Sequence, residues 1–155
     1  MAVNKGLFTS DTAEWETPQD FFDELDQEFS FDLDPCATIE NAKCAQFYTK
    51  ENDGLSLPWY GTVFMNPPYG REIGKWVARA ADEGKKGATV VCLLPARTDT
   101  RWYHEHIWDA KNHRPREGVQ VRLIRGRLKF GGASNSAPFP SMVVIFGHKE
   151  GDNRD

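Results

Sequence analysis

The sequence TVFMNPPYG, residues 62–70, places a short apolar segment directly before two consecutive prolines. Residues 62–65 fit a buried strand, and Pro67 and Pro68 end it, because proline fixes φ and has no N–H to donate to a neighbouring strand. In open α/β sheets, ligands bind beyond the carboxyl ends of the strands. The stretch therefore predicts an α/β fold with a functional site at Asn66-Pro67-Pro68-Tyr69. A strand-ending turn without chemistry is the alternative interpretation.

Apolar segments alternate with helix-like segments on both sides of this stretch, a pattern typical of an α/β sheet. Strands are predicted at residues 29–34 (ending at Pro35), 46–49, 62–65, 89–94, 119–124 and 141–146. Helices are predicted from Pro18 behind a Thr17 N-cap, at 40–45, at 71–83, and from a cap at Thr98 or Asp99 to about residue 110. We expect one domain over residues 11–148, with 1–10 and 149–155 as frayed termini.

The composition fits one domain, since 155 residues with 39% hydrophobic content suffice for a sizeable core. The sequence predicts neither a signal peptide nor a membrane-spanning segment, because it has no suitable apolar run. Cys36, Cys44 and Cys92 are an odd number with no CxxC pair. This argues against a disulfide framework or a zinc site and favours a reducing cytoplasm.

Charge is distributed unevenly along the chain. Residues 1–60 hold 13 Asp and Glu against 3 Lys, whereas residues 61–148 hold 14 Lys and Arg against 7 Asp and Glu. An acidic part joined to a basic part is expected when the two contact different partners. The basic part is the candidate nucleic-acid surface.

The chemistry of Asn66-Pro67-Pro68-Tyr69 suits an amino group conjugated to an aromatic ring. Such an amine is a poor nucleophile, because its lone pair is delocalised. Two acceptors, the Asn66 side-chain oxygen and the Pro67 carbonyl, could bind its two N–H groups and localise the lone pair. Tyr69 offers an aromatic face for a base, a contact worth about 1–3 kcal/mol in single-strand binders. If the amine belongs to an adenine in duplex DNA, that base would first have to leave the double helix.

Basic residues between positions 97 and 129 are the candidate DNA contacts, namely Arg97, Arg101, Lys111, Arg114, Arg116, Arg127 and Lys129. They would bind phosphates and make the affinity for double-stranded DNA depend on salt. A solvated surface without a partner is the alternative. His104 and His106 lie two residues apart, which does not fit the i, i+4 spacing of a helical metal site. No metal is therefore expected.

The chain resembles the small, Dam-like DNA N6-adenine methyltransferases of phages and prophages. The elements that carry the resemblance, in order, are Trp15-Glu16-Thr17-Pro18, Asp32-Leu33-Asp34-Pro35-Cys36-Ala37, Asp53-Gly54-Leu55, Asn66-Pro67-Pro68-Tyr69-Gly70, Leu94-Pro95-Ala96-Arg97 and Gly126-Arg127-Leu128-Lys129-Phe130. The resemblance implies a compact Rossmann-like sheet with helices on both faces and no separate target-recognition domain. It also implies direct methyl transfer from S-adenosylmethionine.

The resemblance assigns the residues before Asn66 to the donor pocket: Thr17, Pro18, Asp34, Pro35, Cys36 and Ala37. Asp34 would face the cationic part of the donor, although an aspartate is also a common strand end. Glu51 is a candidate for the ribose hydroxyls and Asp53 for the adenine amine, with a plain turn as the alternative. Phe130 is either a second aromatic opposite Tyr69 or a core phenylalanine.

The sequence departs from longer relatives after Asp34, where Ala37-Thr38-Ile39 stands in place of a glycine-rich loop. Contacts to the carboxylate end of the donor are therefore uncertain, and a second subunit of a homodimer could supply them. RNA and protein glutamine are alternative acceptors, because each offers a conjugated amine. A DNA-binding module without catalysis is another alternative, but it predicts a broken Asn-Pro-Pro-Tyr element, and the element is intact.

Overall fold

The computed structural model describes residues 15–132 and 136–148 of the chain. Its helices are α1 (Gln19–Phe29), α2 (Ile73–Lys85) and α3 (Arg101–His106). Its strands are β1 (Asp34–Ala37), β2 (Phe47–Thr49), β3 (Thr62–Met65), β4 (Thr89–Pro95), β5 (Trp108–Asp109), β6 (Arg114–Pro115), β7 (Val119–Leu123) and β8 (Ser141–Phe146). Short 3-10 turns lie at Lys50–Asn52, Gly54–Ser56 and Phe130–Gly132. The predicted α/β class is confirmed, and the expected terminal segments lie outside the described residues.

The main sheet has the strand order β3-β4-β8-β7, with β3 and β4 parallel and β8 antiparallel to both of its neighbours. A parallel pair, β1 and β2, extends it, because Leu33 bridges Val63 in parallel and the Phe64 N–H donates to the Leu33 carbonyl at 2.9 Å. Strands β1, β3 and β4 thus run in the same direction. Their carboxyl ends meet at one edge of the sheet, which brings Cys36, near the end of β1, next to Asn66 at the end of β3.

The core lies on both faces of β4 and β8, whose residues are buried almost throughout. Such continuous burial is expected of central strands covered on two sides. Helix α2 packs there through the predicted stripe Ile73, Trp76, Val77, Ala80 and Ala81, all of it buried. Helix α1 contributes Phe22, Leu25 and Phe29. The helical spacing of these side chains decides which face of each helix enters the core.

Two local predictions are wrong. Phe29 ends α1 instead of starting a strand, and β1 runs through Pro35 instead of stopping there. The position of Phe29 fits a strand, because it alternates with Phe31, and also a helix, because it lies four residues after Leu25. In the structure Phe29 is buried as the last residue of α1. No helix forms at residues 40–45, because the Thr38 and Asn41 side chains bond each other's backbone N–H groups, at 2.7 and 3.1 Å. Such local bonds compete with a helix.

The helix after β4 is shorter than predicted. Thr100, rather than Thr98 or Asp99, is its N-cap, and α3 ends at His106 instead of near residue 110. The Asp109 carboxylate then accepts the N–H groups of Lys111 and Asn112, at 3.1 and 3.3 Å, which turns the chain back. The resulting β5–β6 hairpin begins inside the predicted helix and carries Lys111 and Arg114, two of the predicted DNA contacts.

Candidate active site

A cavity of about 720 Å³ opens at the carboxyl ends of β1 and β3. This volume lies within the range of small-molecule sites, roughly 300–1,000 Å³. The predicted site residues that line it are Thr17, Asp34, Pro35, Cys36, Ala37, Asp53, Asn66, Pro67 and Pro68. The strand topology thus gathers segments that are up to fifty positions apart in the sequence.

The Asn66 side chain lies at this cavity with its amide in a fixed orientation. Its Nδ2 donates to the Trp15 carbonyl and, at 3.0 Å, to the Thr17 hydroxyl. Its Oδ1 is buried and has no hydrogen-bond partner among the described residues. A buried acceptor without a partner lowers the stability of the fold by about 1–3 kcal/mol. Its presence in a residue that lines a cavity therefore points to a ligand that donates a hydrogen bond to it. Thr17 was expected to cap α1; instead the N-cap is Pro18, and the Thr17 side chain bonds Asn66.

The backbone at Asn66 is held from β1. The Cys36 thiol donates to the Asn66 carbonyl at 3.3 Å. Pro67 is buried and Pro68 half-buried, and both line the cavity. Two successive prolines fix φ at both positions, so the direction of the Pro67 carbonyl is set without a ligand.

Tyr69 does not present a free ring face. Its side chain is 4% exposed, and its hydroxyl donates to the Leu93 carbonyl at 3.1 Å. Phe139 and Phe130 contact it edge-on, with ring centroids 5.6 and 6.4 Å away. Burial raises the pKa of Tyr69 well above its ordinary value.

Phe130 is a core residue in this structure. It is 4% exposed and packs against Trp15, Tyr69 and Phe139. A base held between Tyr69 and Phe130 would need two roughly parallel rings, whereas these two rings meet at 86° in direct contact. Phe130 thus packs as the core alternative describes in this structure, and its contact with a base opposite Tyr69 stays a prediction.

Asp34 is the buried acid of the cavity, with 4% of its surface exposed. Desolvation by burial raises the pKa of this carboxyl to about 6, although the backbone N–H groups of Lys43 and Cys36 and the charge of Lys43 oppose the shift. The raised pKa means that burial makes the charged form of Asp34 unfavourable in free energy while the cavity is empty. A cationic ligand would remove that cost.

Lys43 was missed by the sequence reasoning. Its side chain is only 7% exposed, lines the cavity, donates to the Gln19 side-chain oxygen at 2.9 Å and lies 3.8 Å from a Glu16 carboxylate oxygen. A lysine with this little exposure usually has a charged partner or a ligand. Its position in a polar loop without periodicity gave no sequence signal.

The turn Gly54–Ser56 closes the cavity beside β1. Gly54 lies so close to Pro35 that an added Cβ would be 2.0 Å from the Pro35 carbonyl oxygen. Arg79 on α2 fixes this turn, because its guanidinium donates to the Leu55 and Leu57 carbonyls and stacks over the Trp59 ring at 4.7 Å. Of the remaining residues predicted for the donor pocket, Asp53 lines the cavity. Glu51, which is exposed, and Pro18, which follows Thr17, are not part of the lining.

The predicted DNA-contacting residues lie outside the cavity. All seven are exposed, namely Arg97, Arg101, Lys111, Arg114, Arg116, Arg127 and Lys129. The Arg116 guanidinium is engaged by the His104 carbonyl, and Arg97 lies 5.7 Å above the Phe139 ring. Arg116 therefore holds the β5–β6 hairpin against α3.

Two features are absent from residues 15–132 and 136–148. No group of three or more His, Cys, Asp or Glu side chains is placed to hold a metal ion there. None of the helices in that part of the chain combines the length and the apolar character needed to cross a membrane.

Comparison with known proteins gives one family match that includes every residue lining the cavity. A family model described as DNA N-6-adenine-methyltransferase (Dam) matches residues 6–153. The chain is 32% identical over 155 residues to a DNA N-6-adenine-methyltransferase of Haemophilus phage HP1 (strain HP1c1), which covers 94% of this chain and 85% of the relative. It is 34% identical over 107 residues to a DNA N-6-adenine-methyltransferase of Escherichia phage T1, which covers 65% of this chain and 44% of that relative.

Proposed function

Because the chain belongs to the DNA N-6-adenine-methyltransferase (Dam) family, we propose that Asn66 presents the adenine amine to S-adenosylmethionine bound in the adjacent cavity. The chain is a DNA adenine-N6 methyltransferase, as its family and its phage relatives indicate. The observation that carries the site assignment is the buried Oδ1 of Asn66, an acceptor without a partner among the described residues, in a side chain that lines a ligand-sized cavity. The acceptor is DNA, and RNA and protein glutamine are not the favoured substrates.

The cavity fits S-adenosylmethionine in size and in charge. When bound, this donor supplies a methyl group on a positively charged sulfur. Asp34 would hold the cationic part, because its buried carboxylate gains most from a nearby positive charge. Lys43 would bind the donor carboxylate, a role that a glycine-rich loop plays elsewhere. With Lys43 in place, the cavity gives no reason to require a second subunit, and a homodimer stays a prediction.

The topology supports the finer fold assignment. Strands β1, β3 and β4 are parallel, the carboxyl ends of β1 and β3 lie at the cavity, and β8 runs antiparallel between β4 and β7. We take this as a Rossmann-like methyltransferase sheet, small and mixed.

Asn66 and Pro67 would activate the amine. Oδ1 of Asn66 and the Pro67 carbonyl each accept one N–H of the flipped adenine, so the lone pair localises on nitrogen and points towards the donor. Positioning in a cavity that excludes water then supplies most of the rate enhancement. Tyr69 remains our candidate stacking partner, which requires the edge contacts of Phe130 and Phe139 to open when the base enters.

One incubation tests this function. The protein is mixed with methyl-labelled S-adenosylmethionine and duplex DNA, and the DNA is digested to nucleosides. We expect the label in N6-methyladenine. Label in RNA or protein supplied in parallel, with none in DNA, would overturn the assignment.

Donor affinity should depend on pH through Asp34. The carboxyl has a pKa of about 6 in the empty protein, and a bound cation favours its charged form. Protons therefore compete with the donor below pH 6, and the Kd should rise by up to about tenfold per pH unit from pH 6 to 5 but stay flat from 7 to 7.5. Calorimetric titration at each pH measures this. Adenosine, which has no cationic group, is the control and should show no such dependence; a flat profile for the donor would contradict the role of Asp34.

The exposed hairpin tip should contribute to DNA affinity. Lys111→Ala with Arg114→Ala removes two exposed cations without touching the Arg116 anchor. We expect weaker duplex binding and a salt slope smaller by about two, because each phosphate contact contributes about 0.9. Fluorescence anisotropy at salt concentrations from about 50 to 200 mM measures both the duplex affinity and its salt slope.

The matched control for the hairpin variant is Lys75→Ala with Lys86→Ala. It removes the same charge from α2, where both lysines already pair with the acids Glu72 and Asp82. A slope that changes equally in both variants would exclude the hairpin as a specific contact surface.

A further inference from the structure

The Asn66 amide is held by groups that leave it only one orientation. The Trp15 carbonyl can accept a hydrogen bond but has no proton to donate, so the atom facing it must carry an N–H. If the amide were turned over, Oδ1 would face the Trp15 oxygen and two acceptors would repel each other. The Thr17 hydroxyl, 3.0 Å from Nδ2, adds a second contact to the same nitrogen. Nδ2 is therefore held against Trp15 and Thr17, and Oδ1 occupies the opposite side of the amide without a partner among the described residues.

We propose that the Trp15 carbonyl and the Thr17 hydroxyl are positioning groups for methyl transfer, and that the Trp15 carbonyl makes this site specific for an amide rather than a carboxylate at position 66. The inference rests on the proposed role of Asn66 as the acceptor of the adenine N–H. It goes further, because a carboxylate is by itself the stronger acceptor. The Trp15 carbonyl makes it unsuitable, because that oxygen can only accept, whereas the Thr17 hydroxyl could donate to a carboxylate.

A carboxyl at position 66 would have to keep a proton in order to work. Its two oxygens cannot both be bare, since one of them would lie against the Trp15 carbonyl. The charged groups that line the same cavity are Glu16, Asp34, Asp53, Glu72, Lys43 and Lys50, and the Cys36 thiol lies against the backbone. Four acids against two lysines also disfavour another negative charge. The protonated form would donate to Trp15 and offer its other oxygen to adenine, as the amide does.

The Asn66→Asp variant tests amide specificity. We expect its kcat to fall about tenfold per pH unit as the pH rises above the pKa of the new carboxyl, whereas the wild-type kcat lacks this decrease. The kcat values of both proteins are compared at saturating donor and DNA from about pH 6 to 9, a range that includes the raised pKa values of buried carboxyls. A wild-type rate with a flat profile in this variant would overturn the proposal. Full activity in Asn66→Ala would instead overturn the role of Asn66 itself.

Thr17 provides a second test that does not alter Asn66. Thr17→Val keeps the shape but removes the hydroxyl, whereas Thr17→Ser keeps the hydroxyl. We expect kcat to drop at least about tenfold in the valine variant, with a smaller change in donor Kd and an unchanged melting temperature, and to recover in the serine variant. Weaker donor binding with an unchanged kcat would place Thr17 in the donor site and overturn its positioning role.

Discussion

Replacing Asn66 by alanine should abolish methyl transfer while S-adenosylmethionine still binds. The variant removes Oδ1, one of two acceptors proposed for the adenine amine, and with it the Nδ2 contacts to Trp15 and Thr17. Loss of one preorganised hydrogen-bonding group in an active site costs about 10²–10³-fold in kcat. We expect at least that loss here, measured in single-turnover reactions with labelled donor.

Asn112→Ala is the matched control for this variant. Asn112 carries the same side chain but lies exposed on the β5–β6 hairpin, bonded to Asp109. It should keep near wild-type turnover. If Asn66→Ala lost donor binding with its fold intact, Asn66 would belong to the donor site and the assignment would be wrong.

Gly54→Ala should both destabilise the protein and weaken donor binding. The new Cβ would lie 2.0 Å from the Pro35 carbonyl oxygen and 3.3 Å from the Trp76 ring. Since the clash is with backbone, no side-chain rotation relieves it, and the turn must move away from β1. Overpacking of this kind costs about 1–3 kcal/mol in the free energy of unfolding. Because the same turn borders the cavity, we also expect the donor Kd to rise at least about tenfold (roughly 1.4 kcal/mol).

Gly74→Ala separates this effect from a general change at glycine. Gly74 lies inside α2, and the nearest neighbour of an added Cβ is the Trp102 Cβ at 3.9 Å. Alanine there should stabilise the helix by about 0.5–1 kcal/mol and leave donor affinity unchanged. Urea unfolding and donor titration of both variants give the comparison. Equal stability of the two would refute the packing argument at Gly54.

Local chemistry made the centre of the site predictable. Strand β3 has the predicted bounds, because three apolar residues, Val63 to Met65, and the two prolines that follow Asn66 leave the chain few alternatives. The buried stripe of α2 also follows from its spacing alone. In both places one short segment holds all the information that its structure requires.

Partners distant in sequence explain what the sequence could not predict. Thr17 looks like a helix cap, and only the fold reveals that its hydroxyl meets Asn66, 49 positions away. Lys43 has no local signal, since its burial depends on Gln19, Glu16 and β1. Tyr69 and Phe130 were expected to face a base, but their burial depends on Phe139, which lies far along the chain.

The place of β8 in the sheet has a consequence for biosynthesis. It is the last strand along the described chain, yet it lies between β4 and β7 and supplies hydrogen bonds to both. A nascent chain therefore carries two open, apolar strand edges until residue 146 has left the ribosome, and such edges invite aggregation. The sheet closes only after translation has passed its final strand. The yield of soluble protein should thus depend more on temperature and chaperones during expression than on the stability of the finished fold.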